Sequence, residues 1–230
     1  MYYYGIDIFY IILVVPTLLL SLWAQYKVNA AFSRYSKMIS KKKITGRDAA
    51  LSLLKTSSIN DVAVESIKGS LTDHYDPRSK KLRLSESVFS QSSVAAIGVA
   101  AHEAGHAIQH ATGYAPLVLR STLVPVANIG SRFGPIMAIG GLIFTLEPLI
   151  MIGIILFSAA VLFYLVTLPV EFNASSRALS LLQSSDILSQ VELECAKRVL
   201  TAAALTYVAS ALTAIMSLLR LILLSRGRRR

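Results

Sequence analysis

His102 and His106 stand four residues apart, with Glu103 directly after the first. On an α-helix four residues make about one turn, so both imidazoles would project from one face. Two imidazoles in that relation suit two positions of a tetrahedral zinc. Glu103 would be offset around the helix toward the open fourth position, where a carboxylate can take a proton from a zinc-acidified water. The chemistry such a group supports is hydrolysis of a carbonyl compound such as a peptide bond. His, Glu and His at this spacing arise by chance in roughly one in a few hundred chains of this length. The small residues Ala104 and Gly105 between them permit close packing. The plainer reading is a buried helix with two hydrogen-bonded histidines. A helix this apolar, however, has no packing reason to bury His, Glu and His without a partner.

Zinc needs a third protein ligand. His110 is nearest, but an unbroken helix carries it about 12 Å along the axis from His102, too far to share one ion. A third nearby His also requires a Gly break after the second, and Ala107-Ile108-Gln109 continues the helix instead. His110 is therefore expected behind the ligands or at the helix end. Glu171 is the better choice. It follows the uncharged run 149–168, while His106 lies shortly before the preceding apolar run. If the two runs form a hairpin, both positions return to the same side at the same depth. Asp186, Glu192 and Glu194 fall on that side too, in a polar helical stretch where charge is usually a solvated face. Asp73-His74-Tyr75-Asp76 reads either as a substrate-edge strand, with His74 or Tyr75 donating to the oxyanion, or as an Asp/Pro turn with exposed polar residues. Arg177 reads as a cation near the site carboxylates or the oxyanion, or equally as a snorkelling interfacial Arg. Glu147, at the far end of the hairpin, is given no catalytic role.

The elements that must position these residues are set largely by lipid. Of 230 residues, 54% are hydrophobic and only 16% charged, against about a quarter charged in a typical soluble domain; mean hydropathy is +0.57. The net charge of +10 is localised, with 13 of the 23 Lys and Arg between Lys27 and Arg83 and four at the C-terminus. Basic residues flanking apolar spans orient a membrane protein, and with no aromatic-interleaved basic patch a nucleic-acid partner is not expected. The single Cys195 forms no internal disulfide and no thiolate metal site, which fits a reducing compartment.

An apolar run over 8–24, with Tyr2, Tyr3 and Tyr4 as an interfacial cluster, is long enough to span. The cations follow it, which places the N-terminus outside and the chain from Tyr26 in the cytoplasm. Thr45-Gly46-Arg47-Asp48 reads as a capping box opening a helix with Ala50, Leu51 and Leu54 on one face. Residues 62–65 and 81–84 alternate as strands do, with a turn at Asp76-Pro77. Ser92-Ser93 caps a buried helix that Gly113 and Pro116 stop. The run 123–146 carries Asn128 and Arg132, whose i, i+4 face is expected to turn toward protein or an interface. The run 201–224 either spans, sending the terminal arginines outside against the positive-inside rule, or forms a re-entrant or interfacial helix.

The expected organisation is an N-terminal membrane helix (1–25), a cytoplasmic α+β segment with the zinc helix (26–116), a transmembrane hairpin (117–169), a cytoplasmic helical segment with the third ligand (170–200), and a C-terminal membrane helix with a basic tail (201–230). The fold class is mainly α: polytopic membrane helices with a small α+β zinc-peptidase domain. The chain is expected as a multi-pass protein of the plasma (inner) membrane, with the active site facing the cytoplasm.

Three blocks carry a resemblance: Leu71-Thr72-Asp73-His74-Tyr75-Asp76-Pro77, Ala101-His102-Glu103-Ala104-Gly105-His106-Ala107-Ile108-Gln109-His110, and Pro169-Val170-Glu171-Phe172-Asn173-Ala174-Ser175. They resemble the YugP-like neutral zinc metallopeptidases of bacteria, over nearly the whole chain. The resemblance, shared with the HtpX-type membrane peptidases, implies one zinc per chain on His102, His106 and Glu171, with Glu103 as the base. It implies a peptide or protein substrate, one that membrane association would bring to the site. Related gluzincins often carry an Asp a few residues after the ligand Glu to orient a motif His. The matching positions here are the neutral Asn173 and Ser175, either of which can accept a hydrogen bond from an imidazole N–H.

FtsH-type proteases share His-Glu-Ala-Gly-His but carry an ATPase module, and no phosphate-binding Gly-rich loop occurs here. Site-2-type proteases place an Asp in a later span, and 149–168 and 201–224 contain none. The reading from another class is a non-catalytic membrane scaffold with a structural or vestigial zinc site. A structural site would have four protein ligands and no need of Glu103. Cleavage specificity and oligomeric state leave no mark on this sequence.

Overall fold

The computed structural model describes residues 7–227; Tyr2, Tyr3 and Tyr4 and Arg228, Arg229 and Arg230 lie outside the described residues. A π-helical turn, Tyr10–Val14, leads into α1 (Val15–Tyr35). There follow α2 (Gly46–Thr56), β1 (Ala63–Ile67), β2 (His74–Asp76), β3 (Lys81–Ser85), α3 (Glu86–Phe89), α4 (Val94–Ala111), α5 (Ala115–Phe144), α6 (Glu147–Ser184) and α7 (Gln190–Gly227). Four helical stretches, Tyr10–Tyr35, Ala115–Phe144, Glu147–Ser184 and Gln190–Gly227, are long and apolar enough to cross a membrane. The chain is thus mainly α, with one small sheet. The last apolar run, left open in the sequence, belongs to the single unbroken helix α7.

Two compact units are formed. One contains Met1–Gln25, Val118–Pro169 and Leu205–Arg230, the other Tyr26–Leu117 and Val170–Ala204. In the first, α5 and α6 meet through small residues. A Cβ on Gly134 would lie 2.8 Å from the Phe157 backbone nitrogen, so only glycine allows this approach. Thr213 Oγ1 lies 3.3 Å from both the Thr17 carbonyl and Ser21 Oγ, joining α7 to α1. Asp7 accepts Nε–H and NH2 donors of Arg220 at 2.9 and 2.6 Å. Asn128 and Arg132 share a face of α5, as their spacing predicts, and it is the exposed one. Ala127, Gly130, Gly134 and Ala138 hold the buried face of α5, and the larger polar pair lies on the exposed side.

The second unit has an aliphatic core built from α2, α4 and the sheet, including Leu53, Leu54, Leu82, Leu84 and Ile97. Thr45 caps α2 by accepting the Asp48 N–H at 3.1 Å. The buried face of α2 is Ala49, Ala50, Leu53 and Leu54, while Leu51 is exposed. Leu51, although three residues before Leu54, stands at the margin of that face and is 38% exposed. The sheet order is β1-β3-β2. β1 runs parallel to β3 in the register Val64↔Leu82, and β2 runs antiparallel in the register Tyr75↔Leu82. The sequence showed two strands and read 73–76 either as an edge strand or as a turn; β2, three residues long and at the sheet edge, is that strand. Ser93 caps α4 through the Ala96 N–H. Gly113, at φ +62°, ends α4 in the left-handed region that favours glycine.

Candidate metal centre

The centre forms where α4 lies against the part of α6 in the same unit. Gly105 sets the approach, because a Cβ there would come 2.6 Å from the Ala174 carbonyl oxygen. Only a bare backbone lets the helices close to this distance, and closure brings Glu171 beside His102 and His106. Glu171 Oε2 lies 3.2 Å from His102 Nε2 and 3.6 Å from His106 Nε2. The imidazoles are edge-to-face, with ring centres 4.7 Å apart. One ligand atom from each of the three residues lies within 4.8 Å of the others. All three are largely withdrawn from solvent, the Glu171 side chain to 3% exposure.

Hydrogen bonds on the far side of each ring determine which nitrogen faces inward. His106 Nδ1 lies 3.0 Å from Gln109 Oε1. The Gln109 amide cannot be turned over, because its Nε2 donates to the Val170 carbonyl at 2.8 Å and to Asn173 Oδ1 at 3.0 Å. His106 Nδ1 is therefore the donor and Nε2 carries the lone pair. His102 Nδ1 lies 3.1 Å from Ser175 Oγ, which can accept its N–H. With both rings in that tautomer, two Nε2 lone pairs and a carboxylate converge on one point, an arrangement that repels itself unless a proton or a metal cation sits among them. Two imidazoles and a carboxylate are a donor set that zinc takes while keeping a position open. The residues fit the ion. Burial pulls the His106 pKa down, but the Glu171 hydrogen bond and the charges of Glu103 and Glu171 outweigh it and push the value above that of ordinary histidine.

Glu103 is 7% exposed, and no hydrogen bond or ion pair to it is found among the described residues. Its carboxylate therefore retains acceptor capacity. Its charge also acts on Asp73. Burial, reinforced by Glu103, pushes the Asp73 carboxyl above its usual range against the opposing hydrogen bonds from Ser85. Those bonds, from Ser85 N–H at 2.7 Å and its hydroxyl at 3.0 Å, fasten the start of β2 to the end of β3.

The remaining candidates fall into two groups. Asn173 and Arg177 stand behind His106: Arg177 Nε donates to Asn173 Oδ1 at 2.8 Å, and its guanidinium lies over the Tyr114 ring. Tyr75 and His110 are partners of one another, with the phenol oxygen 2.8 Å from His110 Nδ1. Burial, with Asp61 and Asp76 nearby, pushes the Tyr75 phenol up to about 12, so it stays a proton donor at neutral pH. His74 contacts the Thr72 carbonyl at 2.9 Å through Nδ1 and Arg83 at 3.4 Å through Nε2. Gln109 is the residue that sequence reasoning missed. Its one signal was an amide three residues after His106 on a helix otherwise apolar at that point.

A family profile described as "Putative neutral zinc metallopeptidase" matches residues 10–226. Among curated proteins, the "Putative membrane protease YugP" of Bacillus subtilis (strain 168) is 47% identical over 215 residues, covering 94% of this chain and 96% of that protein. No solved structure gives a significant match.

Proposed function

The chain belongs to this family of neutral zinc metallopeptidases, and from that premise we propose that it is a membrane-bound hydrolase of peptide bonds. The observation that carries the reading is the convergence of His102 Nε2, His106 Nε2 and Glu171 on one point beside the unengaged carboxylate of Glu103. His102, His106 and Glu171 would hold one zinc ion. When bound, zinc supplies a Lewis acid that polarises a carbonyl and acidifies a water to a pKa of about 7. Glu103 then accepts the proton of the attacking water and passes it to the leaving amine, serving as base and then as acid. Gln109 and Ser175 keep both imidazoles donating outward through Nδ1, so that Nε2 remains a ligand atom throughout. Tyr75 and His74 lie on β2, an edge strand packed beside α4. An extended substrate could pair with that edge, and Tyr75, if released from His110, is protonated and able to donate to an oxyanion.

The site would work at the cytoplasmic membrane face. Glu171 stands three residues past the uncharged run 149–168, about 4.5 Å of helix rise. The thirteen cations between Lys27 and Arg83 belong to the stretch that also carries the histidines, and such a stretch is retained inside. Damaged membrane proteins and flexible segments near the bilayer are the substrates this placement favours. Cleavage of soluble unfolded casein as fast as of a membrane-tethered peptide would remove that preference.

The deciding experiment compares peptide hydrolysis by the wild type and Glu103→Gln, with zinc content measured in both. Glu103→Gln should keep its zinc and lose hydrolysis by about 10²- to 10⁴-fold. If both proteins hold zinc and neither cleaves a broad peptide pool, the site is structural and the chain is a scaffold.

A further inference from the structure

Away from the metal centre, Arg34, Lys37 and Arg198 line one cavity of about 630 Å³, together with Tyr35, Gln190 and Glu194. It lies within the second unit, where the last turn of α1 meets the first turns of α7. None of the three cations has a carboxylate partner among the described residues; the contact found for Arg34 is the Tyr35 ring, 5.6 Å away. Two carboxylates nearby could have neutralised them and do not. Glu194 pairs loosely with Lys197 at 4.0 Å. Glu192 spends its oxygens on the Lys41 N–H at 2.7 Å and the Ser189 N–H at 2.8 Å. Three cations that share a concavity with a single carboxylate, Glu194, leave a net positive charge that raises the potential inside it.

We propose that this cavity binds a phosphate group, brought either by an anionic phospholipid headgroup or by a soluble phosphate ester. Two guanidiniums and an ammonium around one pocket provide the forked and point-charge donors that phosphate oxygens accept. The start of α7 adds the positive end of a 38-residue helix. The location favours the lipid. Arg198 stands three residues before the apolar run 201–224, about 5 Å along the helix, which is headgroup depth. Basic pockets beside membrane helices take anionic headgroups in this way.

An occupant would rest on Tyr35 and Met38, which touch the start of the metal-binding helix. The Met38 carbonyl accepts the Val94 N–H at 2.8 Å, and Tyr35 packs on Ala95 in the first turn of α4. Binding would therefore brace α4 from its N-terminus. The proposal does not depend on the hydrolytic reading, and its test does not use activity.

Thermal unfolding of the full-length protein in neutral detergent would be followed with three probes: dihexanoyl phosphatidylglycerol, dihexanoyl phosphatidylcholine and glycerol 3-phosphate. The phosphatidylglycerol should raise Tm saturably and the phosphatidylcholine should not. A saturable rise with glycerol 3-phosphate as well would identify the phosphate alone as sufficient and a soluble ester as a source. Arg34→Gln/Arg198→Gln should weaken the apparent affinity by about tenfold per arginine. Lys55→Gln/Lys68→Gln, which removes the same charge from exposed positions elsewhere, should respond as wild type does. The proposal is overturned if no anionic probe gives a saturable rise. It is equally overturned if the arginine variant responds like wild type, or if both variants lose the response alike.

Discussion

Gln109 Oε1 lies 3.0 Å from His106 Nδ1, while the same amide donates to the Val170 carbonyl and to Asn173. One fully buried side chain thus ties the helix of the two histidines to the helix of Glu171 and fixes the His106 tautomer. Arg177, donating to the same Asn173 oxygen, holds the other end of the chain. Gln109→Leu should leave the helix intact, because the position is internal and Leu is of similar volume. It should weaken zinc affinity by about 10- to 100-fold, the usual cost of losing such an outer hydrogen bond. Zinc competition against a chelator measures this directly. Unchanged affinity would show that His106 needs no such anchor.

Gly105→Ala tests the helix approach itself. The added methyl would meet the Ala174 carbonyl oxygen at 2.6 Å, a backbone atom that cannot rotate away. Overpacking of this kind costs about 1–3 kcal/mol, and the shift would move Glu171 away from both imidazoles. Gly98→Ala is the control on the same helix, since its methyl comes no closer than 3.3 Å, to the Ala196 Cβ, with the Ala196 backbone at 3.7 Å and beyond. Chemical unfolding and zinc stoichiometry should both fall for Gly105→Ala and change little for Gly98→Ala.

These two residues mark what could and could not be read from the sequence. The spacing of His102, Glu103 and His106 determined their shared face, and Gly105 between them already implied a close neighbour. Hairpin topology singled out Glu171 because an uncharged run must be crossed and re-crossed whole. The membrane helices were legible because lipid tolerates few alternatives. Gln109 was not legible, since a polar side chain on a helix is ordinarily solvent-facing and only the packed structure buries it completely. β2 was legible only as one of two readings, because three residues show no period and Asp76-Pro77 at its end reads as a turn. Pattern showed that Asn128 and Arg132 share a side of α5, but the small residues of α5 decide which side is packed within the chain.

The Asp73 carboxyl supports a prediction about pH. Burial raises its folded-state pKa above the ordinary 3.8, with Ser85 opposing and Glu103 adding to the rise. A carboxyl raised in the folded state contributes stability that is complete below the unfolded value and is lost as pH rises through the folded value. Asp73→Asn can keep the bond from the Ser85 N–H without the buried charge. Metal-free Asp73→Asn should therefore gain stability relative to metal-free wild type as pH rises from acid, and the difference should level off above the folded value. Paired unfolding curves across pH 3 to 8 check this. A gain that grows toward acid would reverse the sign and refute it.

Arg220 poses a different question, because it lies in the helix that carries the last apolar run, with its side chain only 9% exposed, and its bidentate partner Asp7 is 13% exposed. Tyr10 covers the guanidinium with its ring centre 5.1 Å away. A cation in this setting is stable only while its counter-charge is present. Asp7→Asn should destabilise the protein by about 3–5 kcal/mol, as should Arg220→Gln, because each removes one half of a buried ion pair. The double variant Asp7→Asn/Arg220→Gln should recover most of that loss, since two neutral amides can satisfy each other. Unfolding of the four proteins in the same detergent gives the coupling as a double-mutant cycle. If the two single effects simply add, Asp7 and Arg220 do not act as a pair.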